Sequence, residues 1–159
     1  MPKAWQRYLS YLWPWTLDTA YSPQAGRLEV RLETGQKVLN GPHGNYSYGR
    51  LQRVWKEAFR YFDWQPQGAA PVLLLGFGGG SWVPVLRQRG PLPTLYAVDN
   101  DPAVLHLGKR HFPENFKAVQ CFEQEALAFL ASGQMCYQAL FIDIFIDATV
   151  PQAFREEAF

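Results

Sequence analysis

The chain has 159 residues, of which 48% are hydrophobic and 18% charged, so it can build one packed domain and is too apolar for intrinsic disorder. Its 15 basic and 14 acidic side chains give a formal net charge of +1, which provides no field to attract nucleic acid. No apolar run approaches the ~20 residues of a membrane span, and the start lacks the pattern of a secretory signal. We therefore expect a cytoplasmic protein that binds neither nucleic acid nor membrane.

The N-terminus is rich in aromatic side chains, which we expect to form a short amphipathic helix with its rings packed on the domain. A homodimer contact and a lid over a substrate are the alternatives. These aromatic residues are Trp5, Tyr8, Tyr11, Trp13, Trp15 and Tyr21. The two cysteines and three histidines fit no metal-binding spacing, so no metal site is expected.

Two regions of different texture meet near residues 65–71, which predicts a small module over residues 1–65 and a larger domain over 66–159. In the module, residues 27–32 alternate apolar and charged side chains, and residues 36–39 follow after a Thr-Gly turn. This pattern predicts a β-hairpin. From residue 48 to 61, apolar side chains recur every three or four positions, which predicts a helix with one buried face.

In the second region, short apolar runs alternate with helical patterns. The runs are residues 72–75, 95–98, 118–119 and 139–142, and the helix candidates are 81–89, 102–111 and 125–131. Buried strands separated by helices predict a doubly wound, Rossmann-like α/β fold with a parallel sheet in the order 3-2-1-4. Folds of this type normally continue beyond the fourth strand. We therefore expect a shortened chain or fragment, or a partner that covers the exposed sheet edge.

The segment VLLLGFGGGSW places Gly76, Gly78 and Gly80 directly between a strand and a helix. Such a turn needs residues that tolerate positive φ, and bare main chain lets a ligand approach the helix N-terminus. Asp99 follows Gly76 by about 23 residues, near the offset of an acid that accepts hydrogen bonds from both ribose hydroxyls. Ser81 stands where a dinucleotide fingerprint needs its third glycine. The pattern therefore favours an adenosine-type ligand without a pyrophosphate, and a turn made only for packing is the alternative.

Four stretches resemble the spermidine synthase-like branch of class I S-adenosylmethionine-dependent transferases, which have the methyltransferase fold. They are VLLLGFGGGS, YAVDNDPAVLHLGKRHF, CFEQEALAFL and ALFIDIFIDATVPQAFREEAF. The resemblance implies S-adenosylmethionine or its decarboxylated form as co-substrate, without a metal. It also implies transfer of an aminopropyl or methyl group to a small-molecule amine, and thus a link to polyamines.

The resemblance also assigns roles to individual residues. Asp143, at the end of the fourth strand, would orient and deprotonate the attacking amine, because an ammonium has no lone pair with which to attack carbon. Asp99 would bind the nucleoside sugar, Asn100 would reach the nucleoside, and Glu125 would lie beside the adenine. The remaining implied contacts, to the acceptor, are Tyr46, Tyr48 and Asp147.

The sequence departs from this family at three places. Arg50 and Arg53 stand where spermidine synthases carry acids that grip the polyamine, Glu125 replaces an aspartate, and Asp147 lies one position later than expected. These departures keep two other functions open: a methyltransferase with an unknown acceptor, and a non-catalytic module that binds a nucleoside or a protein. A nicotinamide oxidoreductase ranks below both, because Ser81 breaks its fingerprint.

Overall fold

The computed structural model describes residues 4–67, 69–133, 135–145 and 150–155, which form an antiparallel and a parallel sheet of four strands each. The antiparallel sheet has the order β1-β2-β3-β4, flanked in sequence by two helices. These elements are α1 (Ala4–Leu9), β1 (Trp15–Ser22), β2 (Gly26–Glu33), β3 (Gln36–Asn40), β4 (Asn45–Ser47) and α2 (Gly49–Phe62).

The predicted hairpin is confirmed as the β2–β3 pair. Glu33 pairs with Gln36, and the two residues between them, Thr34 and Gly35, have φ values of 46° and 79°. Two successive residues with positive φ form the tight turn whose twist matches that of paired strands. Strands β1 and β4 extend this hairpin into a sheet that the sequence pattern did not predict.

The expectation that the aromatic N-terminus is a helix packed on the domain is wrong beyond Leu9. Helix α1 buries no residue, and β1 is the edge strand of the antiparallel sheet. The side chains of Tyr8, Trp13 and Tyr21 are 78%, 74% and 76% exposed. Pro14 cannot continue a helix, and the β-branched and aromatic residues after it favour a strand.

The parallel sheet has the order β7-β6-β5-β8, which is the predicted 3-2-1-4 arrangement, and every neighbouring pair in it is parallel. Its elements are β5 (Val72–Leu75), α3 (Val83–Arg87), β6 (Leu95–Asp99), α4 (Pro102–His111), α5 (Pro113–Phe116), β7 (Gln120–Glu123), α6 (Ala126–Ser132) and β8 (Ala139–Ile142), followed by a 3-10 turn at Gln152–Phe154. The third strand begins two residues later than predicted, because Ala118 and Val119 belong to the turn before it.

The core lies on both faces of the central strand β5. Val72 and Leu74 pack into a cluster with Trp82, while Leu73 and Leu75 pack toward α6 on the other face. Helix α2 joins the first cluster through Trp55 and Phe59, so the N-terminal module covers part of the parallel sheet. Within the described ranges, no helix combines the length and apolar character needed to cross a lipid bilayer.

Candidate functional site

A cavity of about 330 Å³ opens at the carboxyl ends of the parallel strands. Gly76, Asp99 and Asp143, from the ends of β5, β6 and β8, all line it. Because β6 and β8 flank β5 on opposite sides, this is the switch point where doubly wound sheets bind ligands. Its volume lies at the lower end of the range for small-molecule sites, about 300–1,000 Å³. The other lining residues are Gln24, Ala25, Pro42, His43, Gly44, Asn45, Tyr46, Leu51, Gly78, Val98, Asn100, Asp101, Val104, Gln124, Glu125, Ala126, Ile144 and Phe145.

The protein's own packing already requires two of the turn glycines. Gly76 and Gly78 have φ values of 86° and 58°, in the region that favours glycine. A Cβ on Gly76 would collide with the carbonyl of Asp143, and one on Gly78 would lie 2.5 Å from the carbonyl oxygen of Tyr46. The glycine pattern therefore reflects the close approach of β8 and β4 to the turn, in addition to any room it leaves for a ligand.

The main-chain N–H groups of residues 76–81 all have acceptors within the protein. The N–H groups of Phe77 and Gly78 donate to the Asp99 carboxylate. The N–H groups of Gly79 and Ser81 donate to the Ser47 hydroxyl. The remaining two donate to main-chain carbonyls, Gly76 to that of Val98 and Gly80 to that of Phe77. A pyrophosphate at such a turn is normally bound by these N–H groups. Their existing partners agree with the expectation of a ligand without a pyrophosphate.

Asp99 faces the turn and the cavity together. Its Oδ2 accepts hydrogen bonds from the N–H groups of Phe77 at 3.0 Å and Gly78 at 2.8 Å, and its Oδ1 accepts one from Asp101 at 3.1 Å. Burial raises the pKa of this carboxyl, and the three N–H donors oppose that rise. An ionised carboxylate has about four acceptor positions. Three are used within the protein, so about one remains for a sugar hydroxyl, where the sequence suggested two.

Asp143 directly follows β8, and its side chain meets a helix of the N-terminal module. The indole N–H of Trp55 donates to its Oδ2 at 2.9 Å. Burial raises the pKa of Asp143 to about 6, the Trp55 hydrogen bond lowers it, and the charge of Asp99 raises it. A carboxylate whose pKa is close to neutral accepts a proton more readily than an ordinary aspartate does.

Asn100 and Glu125 also line the cavity. Glu125 has a second task, since its Oε2 accepts from the main chain of Ala128 at 3.0 Å and caps helix α6. Asp101 is buried and caps helix α4, while its Oδ2 accepts from the hydroxyl of Ser22. Asp101 therefore has a capping role at the start of α4.

Two of the residues singled out in the sequence, Gly80 and Tyr48, are not among those that line the cavity. A Cβ on Gly80 would meet the ring of Phe77 and the side chain of Asn115. The ring of Tyr48 stacks on Phe112 with centroids 4.6 Å apart, and its hydroxyl accepts from Asn115 at 2.6 Å. Both positions indicate packing roles.

The charge of the cavity is negative. Its described lining includes four carboxyl side chains and no lysine or arginine; the four are Asp99, Asp101, Glu125 and Asp143. Arg50 and Arg53, which replace acids of the family motif, line a separate groove along α2. Tyr46 lines the cavity, whereas Asp147 lies outside the described residues.

Sequence reasoning missed two residues that the N-terminal module brings to this region, Ser47 and Trp55. Trp55 was recognised only as part of the apolar face of a predicted helix. Ser47 carried no signal, because a serine between two tyrosines in a turn-rich stretch is typical of many loops. Only the docking of the module places the Ser47 hydroxyl on the glycine turn and the Trp55 indole on Asp143.

The fold, a Rossmann-like parallel sheet with a separate antiparallel sheet, is similar to that of solved spermidine synthases. A spermidine synthase in complex with the transition state analogue AdoDATO is similar, with a TM-score of 0.55 and 11% sequence identity over 80% of this chain. The spermidine synthase from Thermotoga maritima gives a TM-score of 0.57 and 12% identity over 87% of this chain. The matched parts are 48% and 49% of those chains, so this chain spans about half their length. No protein-family model matches the sequence, and no curated protein matches it.

Proposed function

We propose that the cavity binds decarboxylated S-adenosylmethionine or S-adenosylmethionine, and that the protein transfers an aminopropyl group from it to a small amine. One arrangement carries the proposal. Asp143, a carboxyl with a raised pKa, lines the same cavity as the glycine turn and the sugar-binding candidate Asp99. A nucleoside-binding edge and a proton acceptor in one cavity are what transfer to an amine requires.

The nucleoside would lie against Gly76 and Gly78, with the free acceptor position of Asp99 toward a ribose hydroxyl. Asn100 and Glu125 would contact the rest of the adenosine. The occupied N–H groups of residues 76–81 support a nucleoside over a dinucleotide. This observation supports the transferase over the nicotinamide oxidoreductase.

The transfer step needs a neutral amine. Asp143 would take a proton from the acceptor ammonium, and the freed nitrogen lone pair would attack the methylene carbon next to the sulfonium. A C–N bond forms, the C–S bond breaks, and its electron pair stays on sulfur, which leaves as a neutral thioether. The buried position of Asp143 assists this step, because burial brings its pKa to about 6.

The charge of the cavity supports the decarboxylated nucleoside. The sulfonium and the amine acceptor are both cationic, and the four carboxyl groups of the lining would attract them. The extra carboxylate of S-adenosylmethionine would meet no lysine or arginine among the described lining residues. A charge taken from water without a partner is costly.

Methyl transfer is the second candidate, and the loss of the family's acidic motif is its motivation. The positions of the two arginines weaken this support for methyl transfer, because Arg50 and Arg53 line a groove along α2 and do not line the cavity. They would therefore not repel a cationic acceptor there. A non-catalytic module that binds a nucleoside or a protein is the third candidate. A cytoplasmic location and a homodimer stay predictions.

Calorimetry with methylthioadenosine, S-adenosylmethionine and its decarboxylated form tests the binding part. We expect all three to bind, with the decarboxylated form tighter than the carboxylated one. The opposite preference would favour methyl transfer, and no binding at millimolar concentration would refute the site.

Mass spectrometry of reactions with simple diamines then tests transfer. Product that appears with the unaltered protein and disappears with Asp143→Asn would exclude the non-catalytic module.

A further inference from the structure

We infer that Trp55 is a positioning residue for Asp143: its indole N–H holds one carboxylate oxygen and leaves the other directed to the acceptor amine. The inference rests on the proposed role of Asp143 as proton acceptor. It goes beyond that role, because it means that α2 of the N-terminal module contributes a side chain to the site. Without α2, the carboxylate of Asp143 would lack this donor.

The geometry that supports the inference is a hydrogen bond of ordinary length from a ring that its neighbours hold in place. The distance from Nε1 of Trp55 to Oδ2 of Asp143 is 2.9 Å. The indole stacks on Phe59 with centroids 5.6 Å apart and meets Phe141 edge-on at 5.8 Å. Phe141 lies in β8, two residues before Asp143. The ring is therefore held by the helix it belongs to and by the strand that carries its partner.

The groups around Asp143 raise its pKa, and the Trp55 indole N–H opposes that rise. The rise comes from burial and from the charge of Asp99 on β6. The described cavity lining also holds the carboxyl groups of Asp101 and Glu125 and the imidazole of His43, and it contains no lysine or arginine. Removing the indole donor should therefore drive the pKa of Asp143 further above 6.

The test compares Trp55→Phe with Trp64→Phe, a matched control. Trp64 meets the same Phe141 ring edge-on at 5.1 Å and also packs near Phe59. Both substitutions remove an indole from one aromatic cluster, but only the first removes the donor to Asp143. A carbon-13 NMR titration of the Asp143 carboxyl should show its pKa raised by about 1 unit in Trp55→Phe, the scale of a hydrogen bond to a charged group. It should stay unchanged in Trp64→Phe.

Activity provides a second readout. If transfer depends on ionised Asp143, the acidic limb of the pH–rate profile should move upward by the same amount in Trp55→Phe. The rate near pH 6 would then fall about fivefold more than the rate near pH 9. If Trp55→Phe does not fold, benzothienylalanine at position 55 keeps the shape of the ring and removes only the N–H.

The outcomes separate this inference from the proposed function. Equal Asp143 pKa values in the Trp55 and Trp64 variants would overturn the inference, even if the protein transfers aminopropyl groups. A raised pKa together with an intact acidic limb would overturn it as well, because the hydrogen bond would then have no bearing on transfer. If the pKa of Asp143 rises in Trp55→Phe but the unaltered protein transfers nothing to any amine, the proposed function is refuted and the hydrogen bond is still established.

Discussion

The hydroxyl of Ser47, at the end of β4, accepts a hydrogen bond from the main-chain N–H of Gly79 at 2.9 Å and lies entirely out of solvent. It accepts a second from Ser81 at 3.3 Å. One side chain of the antiparallel sheet thus satisfies two N–H groups at the start of α3. The N-terminal module and the glycine turn are therefore joined at the position where nucleotide-binding folds hold a phosphate.

Replacing Ser47 by alanine should destabilise the protein. The substitution leaves two N–H groups without their acceptor, at least one of them buried, and an unsatisfied buried donor costs about 1–3 kcal/mol. Urea unfolding of Ser47→Ala measures this loss. Ser132→Ala is the control, because the Ser132 hydroxyl lies on the surface and bonds only to a nearby helix carbonyl. Equal stability of the two variants would mean that Ser47 does not hold the turn.

Gly76→Ala should be poorly tolerated. An alanine there must adopt a positive φ, which costs about 1–2 kcal/mol, and its Cβ would push against the main chain of Asp143. We expect a total loss of about 2–5 kcal/mol in unfolding free energy, and a weakened site. Gly44→Ala is the matched control, since a Cβ at Gly44 would meet nothing within 4 Å. A Gly76→Ala protein as stable as Gly44→Ala would show that β8 does not pack closely on the turn.

Asp143 should make the protein less stable as pH rises. Its folded pKa of about 6 lies above the ordinary 3.8, so the native state keeps its proton longer than the unfolded state does. Its ionisation costs stability between about pH 4 and 6, and the cost persists above that range. Asp143→Asn should therefore be more stable than the unaltered protein at pH 8, by up to about 3 kcal/mol, and equal to it near pH 3.

Asp18 provides the comparison of opposite sign. The hydrogen bond from His111 lowers the pKa of Asp18 below 3.8, with Arg110 nearby at 3.0 Å. The stability it contributes is complete above pH 4 and is lost as pH falls through its lowered pKa. Asp18→Asn should therefore be less stable than the unaltered protein at pH 8, and the difference should shrink in strong acid. Thermal unfolding at pH 8 would contradict one of the two assignments if both variants were more stable, or both less stable, than the unaltered protein.

Asp99→Ala should weaken both the ligand and the fold. It removes the candidate ribose acceptor, so we expect methylthioadenosine affinity to fall by about 1.5–3 kcal/mol, the scale of a hydrogen bond to a charged group. It also removes the acceptor of three main-chain N–H groups, so unfolding free energy should fall too. Glu57→Ala is the control, because that side chain is 60% exposed and pairs with Arg60 one helical turn away. Calorimetry that shows unchanged affinity in a folded Asp99→Ala protein would remove Asp99 from the site.

The sequence by itself determined the parallel sheet and much of its ligand edge. Apolar runs at 72–75 and 139–142 predicted β5 and β8 without error, because each strand is an uninterrupted apolar run, although only β5 is fully buried and β8 exposes Leu140 and Ile142. Strand β7 gave a weaker signal, because its segment Gln120–Glu123 contains two apolar and two polar residues, and its prediction was displaced by two residues. The carboxyl ends of adjacent parallel strands meet at one edge, so Gly76, Asp99 and Asp143 were expected to come together, and all three line one cavity.

The tertiary structure decided what local patterns do not encode. The sequence pattern did not show that the Asp99 carboxylate accepts three hydrogen bonds from the main chain. It also did not show that a side chain at Gly76 or Gly78 would collide with the main chain of Asp143 or Tyr46. The sites of Ser47 and Trp55 depend on how the antiparallel sheet and α2 dock, over sequence separations of 32 and 88 residues. Such contacts are set by the packing of whole elements, and the periodicity of a single segment contains no information about its distant partner.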